Sequence, residues 1–255
     1  MSESVEANGA ESALERLLAA AAQDPVQRPA FSAALLDSQV YVLGYLDGDE
    51  GNGAGAAVAQ AGTSVRLLAL SDQEGSITPF FTSERMLEQT LAAMPGTDHR
   101  FLRLGCRNLF EMTGGSRLVL NPHSDYGKVF LPDEVGDLVA GGQPGVETEV
   151  LEAEREIMVG APAHAVPPGL PAVLARFFAQ RPVVQSAYLG WIAHPDGQTG
   201  YLMIVVAPDH DQAMDGFGTL QISELTEGHT LDVIVVAPNA PNYLADAVAP
   251  FYVRP

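Results

Sequence analysis

The chain has 255 residues, 47% hydrophobic and 18% charged, a globular composition with room for one large domain or two ordinary ones. Lysine and arginine total 13 against 32 aspartates and glutamates, a formal net charge of −19. Such a charge repels nucleic acid and anionic lipid, so the expected partner is a protein, a second copy of the chain or a small molecule. Cys106 is the only cysteine and allows no intramolecular disulfide. The start, MSESVEANGAESALERLL, is acidic where a secretion signal needs a basic end and an apolar core, and no apolar run is long enough for a bilayer. The expected location is the cytoplasm.

Residues 1–11 lack apolar periodicity and read as a disordered tail. Leu14, Leu17, Leu18 and Ala21 then share one helical face, and PAFSAALLDS (29–38) gives a second short helix. VYVLGYL (40–46) reads as a strand, followed by VRLLAL (65–70) and ITPFF (77–81). SERMLEQTLAAM (83–94) is a helix, RFLRL (100–104) a strand, and CRNLFEMT (106–113) a short helix stopped by Gly114 and Gly115. SRLVLNP and KVFL follow as strands, and PDEVGDLVAG (132–141) as a helix with proline at its first turn.

GGQPGVETEVLEAE (141–154) interrupts this pattern with glycine, proline and acids. It divides the chain into an N-terminal domain over 12–142, a linker over 143–153 and a C-terminal domain over 154–255. Beyond it come strand REIMVG, helix GLPAVLARFFAQ, strand VVQSAYLGWIA, turn HPDGQT, strand GYLMIVVA, a helical segment over 209–226 and strand LDVIVVA. The expected fold class is therefore α+β in two domains. The first is a mixed α/β sheet domain and the second a βαββαβ ferredoxin-like layer. Strands 183–193 and 200–207 are apolar on both sides. The face left bare by the helices is thus expected to be covered by the N-terminal domain, a second copy or a partner.

His123, Ser124 and Asp125 imitate a catalytic triad in composition only. Adjacent side chains in an extended segment diverge, while Asn121-Pro122, Ser124, Asp125 and Gly127 are turn formers, Gly127 being expected at positive φ. GNGAGAA (51–57) approaches the spacing of a dinucleotide loop, but Asp47, Asp49 and Glu50 would repel a pyrophosphate. It reads as a glycine-rich connection between antiparallel strands. In PDHDQAMD (208–215), Asp209 and Asp211 do not share a helical face, and acids in a first turn complement the helix dipole, so no metal is expected there. His194 and Asp196 read as turn residues, and Cys106 as a small buried hydrophobe. PFFTSERM (79–86) is the polar site worth following, since a strand runs straight into a helix start marked by Thr82 or Ser83, with Arg85 one turn in. Free amides there need a cap from one of those side chains and could take an anion.

The blocks VYVLGYL, ITPFFTSERMLEQTL, RLVLNPHSDYGKVFLPDEVGDLV and IMVGAPAHAVPPGLPAVLARFFAQRPVVQSAYLGWI, in that order, resemble the SseB family, the enhanced serine sensitivity proteins. The resemblance implies an SseB N-terminal domain followed by a distinct C-terminal one and a bacterial growth phenotype linked to serine. It brings no catalytic residues and no cofactor. Two readings follow. One is a non-catalytic protein that binds a protein partner. The other is an enzyme or small-molecule sensor whose pocket lies at the strand ends carrying Thr82, Ser83, Arg85 and Asn121.

Overall fold

Strands apolar on both faces need cover on both faces, and that requirement organises each half of the chain. The computed structural model describes residues 2–46, 56–58, 65–72, 75–94, 96, 99–141, 158–162, 164–194 and 197–255. The chain divides into two compact units, Met1–Pro144 and Gly145–Pro255; the linker expected over 143–153 lies outside the described residues.

The first unit opens with α1 (Ser2–Gln23) and α2 (Arg28–Leu36). α1 starts at Ser2, inside the stretch that the sequence reads as a tail. Once the turns around buried Leu14 and Leu18 exist, extension adds one hydrogen bond per residue fixed and needs no new nucleus. The strands are β1 (Gln39–Leu46), β2 (Ala56–Val58), β3 (Val65–Leu67), β4 (Leu70–Asp72), β5 (Gly75–Phe81), β6 (Phe101–Gly105), β7 (Leu118–Leu120) and β8 (Lys128–Phe130). They form an eight-stranded mixed sheet in the order β2-β6-β1-β5-β7-β8, with β3 on β1 and β4 on β5.

β1 and β5 pair only at Tyr41↔Phe81 and Val42↔Phe80. The next residue of β5 is Pro79, which has no N–H to offer the ladder, and the two strands diverge there towards β3 and β4. One face of the sheet packs Val40, Val42, Phe80, Leu102, Leu104, Leu118, Leu120 and Phe130 against α1, α2, α4 (Cys106–Met112) and α5 (Pro132–Ala140). The other packs Tyr41, Leu43, Phe81 and Phe101 against Leu87 and Leu91 of α3 (Glu84–Ala93). The i, i+4 spacing of those two leucines is what gives α3 its apolar stripe.

The second unit consists of β9 (Met158–Gly160), α6 (Gly169–Ala179), β10 (Ser186–Ala193), β11 (Thr199–Val206), α7 (His210–Met214), two 3-10 turns, β12 (Thr230–Val236) and β13 (Tyr252–Val253). The α+β class and the βαββαβ element order are both present. The strand pairing within the sheet differs from a ferredoxin-like layer, which would set β9 between β11 and β12. Instead β11 and β12 pair directly and in parallel, and β9 lies antiparallel on the outer side of β10, where β13 also pairs further along. A strand of three residues cannot satisfy the backbones of two long neighbours, so β9 is confined to an edge.

On one face Leu170, Leu174, Phe177 and Phe178 of α6 pack on Ala187, Leu189, Tyr201, Met203 and Val205. The face without helices is also covered, and by a source the sequence did not disclose. Leu244 and Val248, from the irregular segment between β12 and β13, close over Ile192, Leu202 and Ile204. Gly190 lets this cover approach, because a Cβ there would lie 2.5 Å from Leu244 Cδ2 and 2.7 Å from the Gly160 carbonyl. Among the described residues no helix is long and apolar enough to cross a membrane.

Candidate functional site

β5, buried from Ile77 to Phe81, leads into Thr82 and Ser83, and α3 begins at the next residue. Ser83 is the N-cap: its backbone is extended (φ −153, ψ 160) and its Oγ accepts from the Met86 N–H at 3.4 Å. Beside it, β7 is followed directly by Asn121, whose backbone lies in the left-handed region at φ +46, as does His123 at φ +62. Asparagine tolerates that region better than most residues. Gly127 is not at positive φ; its role is space, since a Cβ there would press on the Leu120 and Asn121 carbonyls at 3.1 and 3.2 Å.

The turn and the helix start are joined by side chains. The Asn121 Oδ1 accepts from the Thr82 N–H at 2.9 Å, and its Nδ2 donates to Thr82 Oγ1 at 3.0 Å. Thr82 Oγ1 donates onward to Glu15 Oε1 at 3.3 Å, and Ser83 Oγ donates to the same oxygen at 2.6 Å. Glu15 Oε2 accepts from Arg85 Nη2 at 2.7 Å. Thr90 Oγ1 donates to the Pro122 carbonyl at 2.7 Å and Gln89 Nε2 to the His123 carbonyl at 3.0 Å, pinning α3 onto the turn. Thr82, Ser83 and Asn121 are 0%, 4% and 2% exposed.

The structure thus gathers all four residues expected at this site, Thr82, Ser83, Arg85 and Asn121, and adds Glu15 of α1. A carboxylate of the chain itself, Glu15, stands at the start of α3, held by the side chains of Thr82, Ser83 and Arg85. Sequence reasoning passed over Glu15, although an acid beside the Leu14–Leu18 stripe was the available signal. A buried set of donors and acceptors spent on one another ties α1, β5, α3 and the β7–β8 turn together.

The remaining candidates are occupied locally. Ser124 Oγ lies 2.8 Å from the carbonyls of both Asn121 and Tyr126 and is engaged by the turn itself. Asp209 caps α7, accepting from the Gln212 N–H at 2.9 Å. His194 Nε2 meets Asp232 Oδ2 at 3.0 Å across the C-terminal sheet, a pairing the turn reading did not anticipate. Burial pushes the Cys106 thiol up to about 12, only slightly countered by Arg107, so this cysteine is no thiolate nucleophile. The GNGAGAA loop lies outside the described residues up to residue 55; its last residues enter β2, which runs parallel to β6. At one end of the C-terminal sheet Trp191 stands edge-on to Tyr201, His229 and His164, with ring centroids 5.1, 5.0 and 6.1 Å away.

Fold and site together define a two-unit α+β protein whose buried polar cluster ties its own secondary structure. The SseB protein N-terminal domain matches residues 14–137 and the SseB protein C-terminal domain matches residues 151–254, and the chain belongs to the SseB family. Protein SseB of Escherichia coli (strain K12) is 28% identical over 247 residues, which cover 94% of this chain and 92% of that one. Protein SseB of Shigella flexneri is similar to the same extent, 28% over 247 residues. No solved structure matches the chain.

Proposed function

We propose that the chain is a non-catalytic cytoplasmic protein that acts by binding another protein, and through it modulates amino-acid metabolism, serine in particular. The observation that carries this reading is the closure of the polar cluster. Thr82, Ser83 and Asn121 are buried with their hydrogen bonds directed at each other and at Glu15, so these three side chains are committed within the chain rather than to a ligand. The net charge of −19 adds a field that selects a basic partner surface. The serine connection comes from the family resemblance alone.

Affinity purification of the tagged full chain from its native bacterium tests the reading. A protein recovered in stoichiometric amount at physiological salt is expected. Recovery of the chain alone, together with loss of an activity in Ser83→Ala at unchanged stability, would establish the sensor or enzyme instead.

A further inference from the structure

The sheet edges of this protein are unequal. β2 and β8, at the ends of the N-terminal sheet, have three residues each, and the outer side of β10 carries β9 with three and β13 with two. β12 has seven and pairs with β11 without a bulge from Gly200↔Thr230 to Val206↔Val236. Soluble proteins blunt an edge by keeping it short or by placing lysine, proline or a bulge on it. β8 begins with Lys128, whereas β12, TLDVIVV, has no lysine, proline or bulge, and its one charge, Asp232, is paired with His194.

Its backbone is poised for pairing. The Ala207 N–H donates to the Val236 carbonyl at 3.0 Å, so Val236 faces β11. Alternate residues of a strand face alternate edges, and Leu231, Val233 and Val235 therefore direct N–H and C=O away from the sheet. Among the described residues no backbone hydrogen bond falls on those outward groups. From Leu231 onward the side chains are half-buried: Leu231, Val233 and Val235 rest on the α6 core, Ile234 and Val236 on the Leu244 cover. One more strand would complete their burial on both faces.

Charge identifies the occupant. No lysine or arginine occurs from Pro182 to Val253. Asp209, Asp211 and Asp215 lie at α7, Glu224 and Glu227 lead into β12, and Asp232 is on the strand itself. A second copy docked edge to edge would set these acids against their own kind, while a basic strand would be attracted to them. We propose that β12 is the docking edge for an extended basic segment of the partner protein, which joins the C-terminal sheet as an added strand. This rests on the protein-binding reading above and specifies its chemistry.

The full chain is titrated with a fluorescently labelled peptide of alternating valine and lysine, and with a counterpart carrying glutamate for lysine. Two variants accompany it. Val233→Pro deletes an outward N–H at a position where an edge strand accepts proline, and the Glu224→Lys, Glu227→Lys double variant reverses two exposed charges. The lysine peptide is expected to bind at least about tenfold more tightly than the glutamate one, and each variant to lose about tenfold or more. Equal binding of the two peptides, or wild-type binding by the double variant, overturns the proposal. The double variant decides if Val233→Pro fails to fold, as seen from Trp191 fluorescence. A wild-type dimer that Val233→Pro converts to monomer assigns the edge to a second copy and also overturns it. A native partner held equally by wild type and Val233→Pro removes β12 from the interface yet leaves the protein-binding reading standing. Recovery of no partner from the native bacterium defeats that reading, and this proposal with it.

Discussion

Replacing Asn121 by alanine removes the acceptor of the Thr82 N–H and the donor to Thr82 Oγ1, both in a site closed to water. A buried amide left without a partner costs about 1–3 kcal/mol. Alanine must also hold the left-handed backbone that asparagine adopts at φ +46, at a further cost of about 1–2 kcal/mol. Asn121→Ala should therefore destabilise by about 3 kcal/mol, and Asn121→Gly, which loses the hydrogen bonds but not the backbone freedom, by about 1 kcal/mol less. Urea unfolding followed by two probes measures this. Far-UV circular dichroism sees both units, while the single tryptophan, Trp191, lies in the second. The substitution should bring forward the part of the dichroism change that belongs to the first unit and leave the Trp191 midpoint in place. Equal losses for alanine and glycine would refute the backbone argument. Losses below about 0.5 kcal/mol for both would show that the cluster ties nothing together.

Leu244→Ala opens the cover over Ile192, Leu202 and Ile204 and should cost about 2–5 kcal/mol, read from the Trp191 transition, with binding of an apolar dye to the uncovered sheet. Glu15→Ala leaves the Ser83 hydroxyl without its acceptor and should cost about 1 kcal/mol in the dichroism transition; Glu15→Gln keeps an acceptor and should cost less. Equal losses for the two would place the effect in the charge on Arg85, an exposed pairing expected to contribute little. Cys106 is raised from 9.0 to about 12 in the folded protein, so its contribution is complete below pH 9 and is lost as the pH rises through the folded value. The first unit should weaken between about pH 9 and 12 more steeply in wild type than in Cys106→Ala, and native Cys106 should resist alkylation near neutral pH.

Local pattern determined the elements because each has a period or a stop signal of its own. The Leu87–Leu91 spacing with the Ser83 cap defined α3, Pro132 and Gly141 bounded α5, and the glycine- and acid-rich run after residue 140 separated the two units. The polar residues Thr82, Ser83, Arg85 and Asn121 were visible too, since each sits at a strand end or helix start where backbone groups need partners. Tertiary structure decided what they are for. Glu15 lies 68 residues from Ser83 along the chain, and no local rule predicts that its carboxylate accepts from the Ser83 hydroxyl. The same holds for the second unit. Strand order depends on which neighbours can satisfy a whole backbone, which put short β9 on an edge and β12 beside β11. The segment that covers the bare sheet face has no periodicity to read. Leu244 is buried only because the chain turns back across β11 before ending in β13, a choice made by the burial of Leu202 and Ile204 together rather than by any residue alone.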